Sequence, residues 1–269
     1  MSANLRLRPR RWRWFDRIVH AVMVHTTIMD HPPCVVHLEH DGKVLLVDGQ
    51  GQGPKEAQRG RIVSSPFLRF PTLEEVEAMG IPMAESNRVN HDDVTSGVTV
   101  VKAYPQIPWP ETWPWKDDVI SDNAVHPVAR ESVYRSLHRV VSKVIVVNGE
   151  GAVLMGRVAR GHFTGHWTLP GGYLDHDEHP DAGCIREAFE EFGLRIDLDG
   201  SAPVVTQRIF DRRGLSFLSF TYTSSITEGQ DIQVEPSEIA EGAWFPAAEA
   251  YERAVSYFDR TALKAHLDR

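Results

Sequence analysis

The chain has 269 residues, of which 42% are hydrophobic and 25% are charged, as in ordinary globular proteins. This length predicts one large or two small domains, and the composition argues against a mainly disordered chain. No run of about 18 apolar residues predicts a membrane span. Two cysteines, Cys34 and Cys184, are too few for a disulfide framework or a four-cysteine zinc site, and they fit a cytoplasmic location.

The net charge of −8 is unevenly distributed along the chain. Residues 1–20 carry six arginines and one aspartate, whereas residues 171–200 carry nine acidic and two basic residues, a net charge of −7. Such a concentration of carboxylates attracts cations and repels a nucleic-acid backbone. We therefore expect no nucleic-acid partner and no membrane partner.

Residues 1–32 form a basic leader, and residues 33–125 show the pattern of a smaller α/β domain. Strand-like runs at 34–39 and 43–47 flank the turn signal His40-Asp41-Gly42, and another run follows at 97–104. Residues 72–79 predict a short helix with a capping box. The segment at 107–115 is rich in proline and tryptophan and predicts a linker.

Residues 126–269 make up the second predicted domain. The pattern predicts a helix at 127–140, strands at 143–147 and 152–155, further strands within 204–226 and 231–246, and a helical region at 247–269. The sequence DGKVLL at 41–46 is similar to EGAVLM at 150–155. This indicates either that the first domain is a degenerate copy of the second or that two common glycine-turn hairpins coincide.

The most informative segment is GGYLDHDEHPDAGCIREAFEEFGL at 171–194. Pro180 suits a first helical turn and Gly193 suits the position just beyond a helix, so a helix is predicted from Pro180 to Phe192. At about 100° per residue, three glutamates share one face, which we expect to point outward, and Gly183 leaves room for a ligand there. The glutamates are Glu187, Glu190 and Glu191, and the opposite, apolar face carries Ala182, Ile185, Ala188, Phe189 and Phe192.

The repulsion between these glutamates calls for a counter-charge, because like charges three and four residues apart destabilise a helix. Arg186 can neutralise only part of it. A divalent cation that prefers hard oxygen ligands, Mg²⁺ or Mn²⁺, is one interpretation. A solvated acidic surface without a ligand is the other, and the helix alone does not choose between them.

The spacing of the whole segment favours the divalent cation over the solvated surface. From Gly172 the chain has five residues, then Glu178, seven more residues, and REAFEEFGL at 186–194. This pattern resembles the Nudix box, the loop–helix–loop signature of Nudix hydrolases, over all 23 of its positions. Ala188 stands where a larger aliphatic residue is more usual, which bears on packing and not on chemistry. The resemblance extends over about 143–250.

The resemblance implies a Nudix α/β/α sandwich with a mixed sheet, here preceded by the smaller α/β domain. It implies water attack on phosphorus in a nucleoside diphosphate linked to another moiety, such as a nucleotide sugar or a dinucleotide, with Mg²⁺ or Mn²⁺ as cofactor. The matching positions are Glu187 and Glu191 for the principal metal ligands, Glu190 and the Gly171 carbonyl for further ligands, and Arg186 with Glu178 for the pair that orients Glu187.

The general base is expected outside the box. In Nudix relatives a loop after the box often carries one more glutamate, and the candidates here are Glu235, Glu238 and Glu241. A water that attacks phosphorus needs a proton acceptor, and metal coordination reduces the basicity of the box glutamates. We assign this role to Glu238, with Glu235, which precedes Pro236, as the runner-up and Glu187 itself as the other alternative.

Three further residues are candidates for substrate binding. Arg157 and Arg160 suit either phosphate groups or solvent, and Trp167 either packs in the strand that enters the box or touches the substrate. Signatures that mark enzymes for ADP-ribose, diadenosine polyphosphates, NADH and coenzyme A are missing, which leaves sugar nucleotides and nucleoside triphosphates as substrates.

The preferred function is hydrolysis of a small-molecule nucleotide. One alternative is a house-cleaning nucleoside triphosphate pyrophosphohydrolase. Another is a non-catalytic nucleotide-binding module, which predicts damaged carboxylates, whereas every box position is intact. We expect the first domain to form a homodimer or to shape the substrate pocket.

Overall fold

The computed structural model describes residues 32–91, 94–95, 97–210, 214–226 and 230–269. The predicted basic leader lies outside these residues, apart from Pro32. The first part of the chain contains six strands and two short helices within the described residues. They are β1 (Cys34–His40), β2 (Lys43–Val44), β3 (Val47–Asp48), β4 (Leu68–Arg69), α1 (Leu73–Ala78), β5 (Met83–Asn90), β6 (Thr99–Pro105) and α2 (Lys116–Ser121).

A four-stranded sheet in the order β2-β1-β6-β5 organises this first part. Strands β1 and β6 run parallel, and the outer strands are antiparallel to them. The β1–β2 hairpin turns at Asp41 and Gly42, whose φ angles of 45° and 86° are those of a tight turn that favours glycine. Thr72 and Glu75 form the predicted capping box of α1.

The second part begins with α3 and continues to the end of the chain. Its elements are α3 (Pro127–Ser136), β7 (Arg139–Val147), β8 (Ala152–Val158), β9 (Trp167–Thr168), β10 (Gly171–Tyr173), α4 (Pro180–Phe192), β11 (Asp197–Leu198), β12 (Val204–Phe210), β13 (Leu215–Ser225), β14 (Ile239–Pro246), α5 (Ala247–Arg253) and α6 (Tyr257–Leu267). Helix α3 packs its Val128, Ala129 and Val133 into the apolar core of the first part.

The second sheet is mixed and is covered by helices on both faces. Its main path is β11-β13-β7-β8-β14, with β7 and β13 parallel and the other pairs antiparallel. One core cluster joins the sheet to α4 through Cys184, Ala188 and Phe192. The other joins it to α5 and α6 through Ala250 and Leu263. The result is an α/β/α sandwich, which confirms the expected fold class.

Strand β7 has different partners at its two ends, and this positions the segment that carries the carboxylates. β7 pairs with β8 at Val147, whereas its residues 141–143 pair with β10. The register places Gly171 opposite Lys143, so the glycine pair Gly171-Gly172 lies in the sheet directly beneath α4. A glycine at 171 is required because its φ is +137° and a Cβ there would lie 2.3 Å from the Ser142 carbonyl oxygen.

Several predicted boundaries were wrong, and each has a local cause. The helix predicted at 127–140 ends at Ser136, because Leu137 is extended and β7 begins at Arg139. The helical region at 247–269 is two helices, since the chain is extended at Ala254. Strand β5 was missed because it lies at a sheet edge and is mostly exposed, so it lacks an apolar alternation. No helix in the described ranges has the length and apolar character needed to cross a membrane.

Candidate active site

Helix α4 has the bounds that its sequence predicts, and its ends show why. Pro180 occupies the first turn, and Gly193 follows the last with a left-handed φ of 68°. The amide of Gly193 donates to the Phe189 carbonyl at 2.9 Å, and Leu194 donates to Ala188 at 3.3 Å, which satisfies the carbonyls at the end of the helix. Pro180 and Gly193 therefore explain why the helix begins and ends at the predicted residues.

The predicted orientation of α4 was wrong in part: Ala188 and Phe192 are buried as expected, but the acidic face does not point outward. Glu187 and Glu191 are buried, with 8% and 9% of their surface exposed, whereas Ile185 and Phe189 are exposed at 37% and 52%. Of the three glutamates only Glu190 lies outward. The acidic face packs inward because β10 offers glycines there: a Cβ at residue 172 would lie 2.8 Å from Glu187 Oε1.

The space beside Gly183 is filled, which corrects the expectation that it leaves room for a ligand. A Cβ at this position would lie 2.5 Å from Leu174 Cδ1 and 3.0 Å from Glu178 Oε2. The glycine therefore allows the loop before α4 to pack closely against the helix.

Arg186 ties this loop to the glutamates. Its Nε and one terminal nitrogen each donate to the Glu178 carboxylate at 2.9 Å. Its other terminal nitrogen donates to Glu187 Oε1 at 2.9 Å and to Glu190 Oε2 at 2.8 Å. Glu178 therefore anchors a guanidinium that fixes the position of the Glu187 carboxylate.

Glu191 has a different environment. Its Oε2 accepts a hydrogen bond from the Gly171 amide at 3.0 Å, and no ion pair with it is present among the described residues. Burial raises its pKa to about 8, although that hydrogen bond acts in the other direction. Burial also raises the pKa of Glu187, against the effect of Arg186. The charge of Glu187 also raises the pKa of Glu191, as expected where neighbouring carboxylates lack sufficient positive charge.

These carboxylates fit a hard divalent cation. Buried ionised groups are costly unless paired, and a cation between Glu187 and Glu191 would relieve both the burial cost and the mutual repulsion. In the part of the chain that the structure describes, no three acidic, histidine or cysteine side chains form a ready-made metal site. Further ligands must therefore come from backbone carbonyls, water or the substrate, as is usual for Mg²⁺.

A cavity of about 530 Å³ adjoins Glu191 and the glycine pair. Aromatic rings form one wall: Phe210 and Phe217 lie 5.3 Å apart between centroids, as do Phe210 and Phe258, and Tyr173 lies 6.1 Å from Phe217. The lining also contains charged side chains, namely Lys143, Arg160, Glu191 and Glu238. Such a cavity suits a ligand with a flat apolar part and a charged part.

Lys143 lines this cavity and forms a buried ion pair with α6. Its Nζ lies 2.7 Å from Asp259 Oδ1, and Asp259 is fully buried. The other carboxylate oxygen of Asp259 accepts from the Leu169 amide at 3.1 Å. Helix α6 thereby fixes both Lys143 and the strand that precedes the glycine pair.

Comparisons with known proteins identify the family. A family model described as the NUDIX domain matches residues 137–265. A MutT-like protein of Streptomyces ambofaciens is 31% identical over 129 residues, which cover 48% of this chain and 77% of that protein. The chain belongs to the Nudix family. The resemblance in residues 172–194 is thus confirmed.

Two other relatives extend the similarity. A Mycobacterium tuberculosis protein, provisionally named 8-oxo-dGTP diphosphatase 3, is 36% identical over 101 residues, covering 36% of this chain and 45% of its own. An RNA pyrophosphohydrolase of Roseobacter denitrificans is 26% identical over 159 residues, covering 51% and 94%. The chain is a hydrolase that acts on phosphoric anhydrides, in a family that generally uses divalent metals.

Of the residues predicted for the general base and for substrate binding, Glu238 and Arg160 line the cavity, and Glu235, Glu241, Arg157 and Trp167 do not. Glu238 and Arg160 form an ion pair, and both line the cavity. Glu241 pairs with Arg157 at 2.9 Å on the exposed side of the β8–β14 pair. Trp167 packs edge to face against Phe245, with 4.9 Å between ring centroids, away from the cavity lining. Glu235 donates its amide to the Glu191 carbonyl at 2.9 Å, so its loop is joined to the Nudix helix.

Sequence reasoning missed the aromatic wall and the Lys143–Asp259 pair. The aromatic residues belong to strands and to α6, where large apolar residues usually indicate core. Lys143 begins a run of buried valines and isoleucine in β7. A lysine at a buried strand position needs a partner for its charge, and this could have indicated an ion pair from the sequence. Asp259 stands in a helix of otherwise ordinary composition, so only the fold brings it to Lys143.

Proposed function

We propose that this Nudix chain hydrolyses a nucleoside diphosphate linked to another moiety, with Mg²⁺ or Mn²⁺ bound at the Nudix helix. One observation supports this most strongly: Glu187 and Glu191 are buried side by side with raised pKa values, and Glu191 opens to the 530 Å³ cavity. A solvated acidic surface would leave both carboxylates exposed. Burial of two like charges is costly, and it is expected where a cation completes the site.

In this proposal Glu187 and Glu191 hold the cation, with Glu190 and the Gly171 carbonyl as further ligands. When bound, a divalent cation neutralises charge on the diphosphate and acidifies the attacking water. Arg186 positions Glu187, because it links that carboxylate to Glu178. Close positioning of this kind lowers the reorganisation that the reaction requires.

Glu238 is the proposed general base. It lines the same cavity as Glu191, and its charge raises the pKa of both Glu187 and Glu191, which supports this role. In the free protein Arg160 holds Glu238 in an ion pair. Arg160 also lines the cavity, so a phosphate group can draw its guanidinium away and leave Glu238 free to accept a proton from water.

The aromatic wall is the proposed site for the nucleoside. Phe210, Phe217 and Tyr173 can stack on a base, and the phosphates then extend toward Glu191 and Arg160. Arg157 and Trp167, which were candidates for substrate contact, have partners away from the cavity and are assigned no such role.

A nucleoside triphosphate is the second candidate substrate, because the similar Mycobacterium tuberculosis protein bears the name of an 8-oxo-dGTP diphosphatase. A panel of sugar nucleotides, dinucleotides and nucleoside triphosphates, incubated with Mg²⁺ and separated by chromatography, distinguishes the two classes. Cleavage of sugar nucleotides or dinucleotides supports the first proposal, and release of pyrophosphate from triphosphates alone supports the second.

Two further expectations stay predictions: the cytoplasmic location and a homodimer formed through the first part of the chain.

Chelation is expected to abolish hydrolysis. Excess EDTA should reduce the rate to background, and added Mg²⁺ should restore it. The reason is that a diphosphate binds beside the buried carboxylates only when a cation lies between the negative charges. Mg²⁺ at about 100 times its Kd should also stabilise the fold by about 2.7 kcal/mol, measurable as a rise in Tm. Hydrolysis that continues unchanged in excess chelator would show that the cation has no part in the reaction.

Glu238→Gln is expected to lower kcat by about 10²-fold or more, with little change in Mg²⁺ affinity, because it removes a proton acceptor and no ligand. The fall of the rate toward acid pH should also flatten. Glu241→Gln is the matched control, since Glu241 pairs with Arg157 as Glu238 pairs with Arg160. If Glu238→Gln behaves as the control does and Glu187→Gln alone changes the pH profile, the base belongs to the Nudix helix.

A further inference from the structure

A second cavity, of about 170 Å³, lies between the first part of the chain and the β12–β13 hairpin. Pockets for drug-sized ligands usually measure about 300–1,000 Å³, so this junction cavity has room only for a small molecule or ion. The lining from the first part and the α3–β7 connection includes side chains that can carry charge or form hydrogen bonds, among them His37, Glu39, Asn87, Lys102, Lys116 and His138.

Lys116 and Glu39 neutralise each other in this junction cavity. Their side chains form an ion pair at 2.5 Å, and His37 Nε2 lies 3.4 Å from the other oxygen of Glu39. Burial opposes the charge of Glu39, but hydrogen bonds from His37 and Lys116 lower its pKa to about 2. Burial lowers the pKa of His37 to about 4, so the histidine is neutral at neutral pH.

Lys102 is the cation that remains. Its Nζ donates to the Ser132 carbonyl at 3.3 Å, and no carboxylate within the described ranges forms an ion pair with it. Burial lowers its pKa to about 8, and the neighbouring Lys116 acts in the same direction while Glu39 opposes it. At neutral pH the two lysines and one glutamate leave a net positive charge in a small cavity, and an anion would be the missing partner.

Hydrogen-bonding groups around Lys102 are also incompletely used. Asn87 Oδ1 is buried and has no hydrogen-bond partner among the described residues. A half-turn of this amide would offer its two N–H groups to an anion in the cavity. On the opposite wall, Ser216 Oγ lies 2.7 Å from His138 Nδ1 and accepts from Gln207 Nε2 at 3.2 Å, so the hairpin side is already ordered.

We propose that the junction cavity binds a small phosphate-type oxyanion, inorganic phosphate or pyrophosphate, with Lys102 as its main charged contact. Lys116 and the Asn87 amide are the additional donors. Glu39 limits the affinity, because its negative charge lies in the same cavity. A charge-assisted hydrogen bond from a lysine to a phosphate oxygen is among the stronger polar interactions, and the partial burial of Lys102 strengthens it further.

The β12–β13 hairpin separates this junction cavity from the active-site cavity. Successive side chains of a strand point to opposite faces, and accordingly Leu215 and Phe217 line the active-site cavity while Gly214 and Ser216 line the junction cavity. A bound anion would therefore contact the same strand that carries the aromatic wall. The site is nevertheless independent of the proposed catalytic residues, so its test does not depend on the substrate.

The test measures binding of sodium phosphate and, separately, sodium pyrophosphate by calorimetry at neutral pH in metal-free buffer. Metal-free buffer withholds the cation that the proposed active site needs to bind phosphates, and the effect of Lys102→Met then assigns the binding to the junction cavity. The variants are Lys102→Met, Glu39→Gln and, as matched control, Lys264→Met, which removes an exposed lysine of α6. Melting temperatures and basal hydrolysis confirm that each variant is folded.

Wild type is expected to bind at least one of the two anions, and the preferred one identifies the ligand. Lys102→Met should weaken binding about tenfold or more, Glu39→Gln should strengthen it, and Lys264→Met should leave it unchanged. Lys102→Met and Glu39→Gln are expected to change the affinity in opposite directions. A merely structural disturbance of the cavity would instead weaken binding in both variants. The proposal is overturned if wild type binds neither anion, if Lys102→Met binds as wild type does, or if Glu39→Gln weakens binding.

Discussion

Glu191→Gln is expected to reduce turnover by about a thousandfold at a fixed Mg²⁺ concentration. The substitution keeps the size of the side chain and removes the charge that the proposed cation requires, and such stabilisation is worth several kcal/mol in metal-dependent hydrolysis. Steady-state rates over a range of Mg²⁺ concentrations measure the effect. Glu252→Gln is the control, because Glu252 is exposed on α5 and does not line the cavity, so its rate should be unchanged.

The same variant should not lose stability in metal-free buffer. Burial raises the pKa of Glu191 to about 8 from an ordinary value of 4.5, so its contribution to stability is full below about pH 4.5 and is lost as pH rises through 8. Glutamine carries no such charge, and its side-chain carbonyl oxygen can still accept a hydrogen bond from the Gly171 amide. Wild type should therefore gain stability from Mg²⁺ and the variant should not. A near-wild-type rate at saturating Mg²⁺ would contradict the ligand assignment.

Asp259→Ala is expected to destabilise the fold by about 3–5 kcal/mol, because it leaves the Lys143 ammonium buried without its partner. It also removes the acceptor of the Leu169 amide, which lies 3.1 Å from Asp259 Oδ2. Urea unfolding of the metal-free protein measures the change. Asp268→Ala, at an exposed aspartate near the end of α6, should shift stability by no more than about 0.5 kcal/mol.

A double variant tests the cause of that loss. Lys143→Met with Asp259→Leu removes both charges, and replacing a buried ion pair by apolar residues is often neutral or stabilising. The double variant should therefore be more stable than Asp259→Ala. If Asp259→Ala costs less than about 1 kcal/mol, the ion pair contributes little and α6 is held by its apolar contacts alone.

The helix of the Nudix box could be predicted to the residue, whereas its orientation could be predicted only in part. Pro180 and Gly193 act locally, so the bounds of α4 follow from the sequence alone. Which face is buried depends on what lies opposite, and the glycines of β10 make the acidic face the one that fits against the sheet. An apolar face that includes Ile185 and Phe189 therefore remained partly exposed, against the usual rule.

The cavity lay beyond sequence reasoning for a different reason. Its wall is built from Tyr173, Phe210, Phe217 and Phe258, which come from β10, from the β12–β13 hairpin and from α6. In each element an aromatic residue looks like ordinary core, and only the fold shows that these rings surround space. The expected partner of Glu187, by contrast, could be named in advance because Arg186 and Glu178 belong to the same short motif.

The most direct test of the central claim is hydrolysis of the nucleotide panel in heavy-oxygen water with Mg²⁺, with wild type and Glu191→Gln compared side by side by mass spectrometry. We predict that wild type cleaves at least one nucleotide between two phosphorus atoms and places one heavy oxygen on a phosphate of the product, while the variant yields only traces. Equal rates in both proteins, or heavy oxygen on a carbon atom of the product, would contradict metal-assisted attack of water on phosphorus at the Nudix helix.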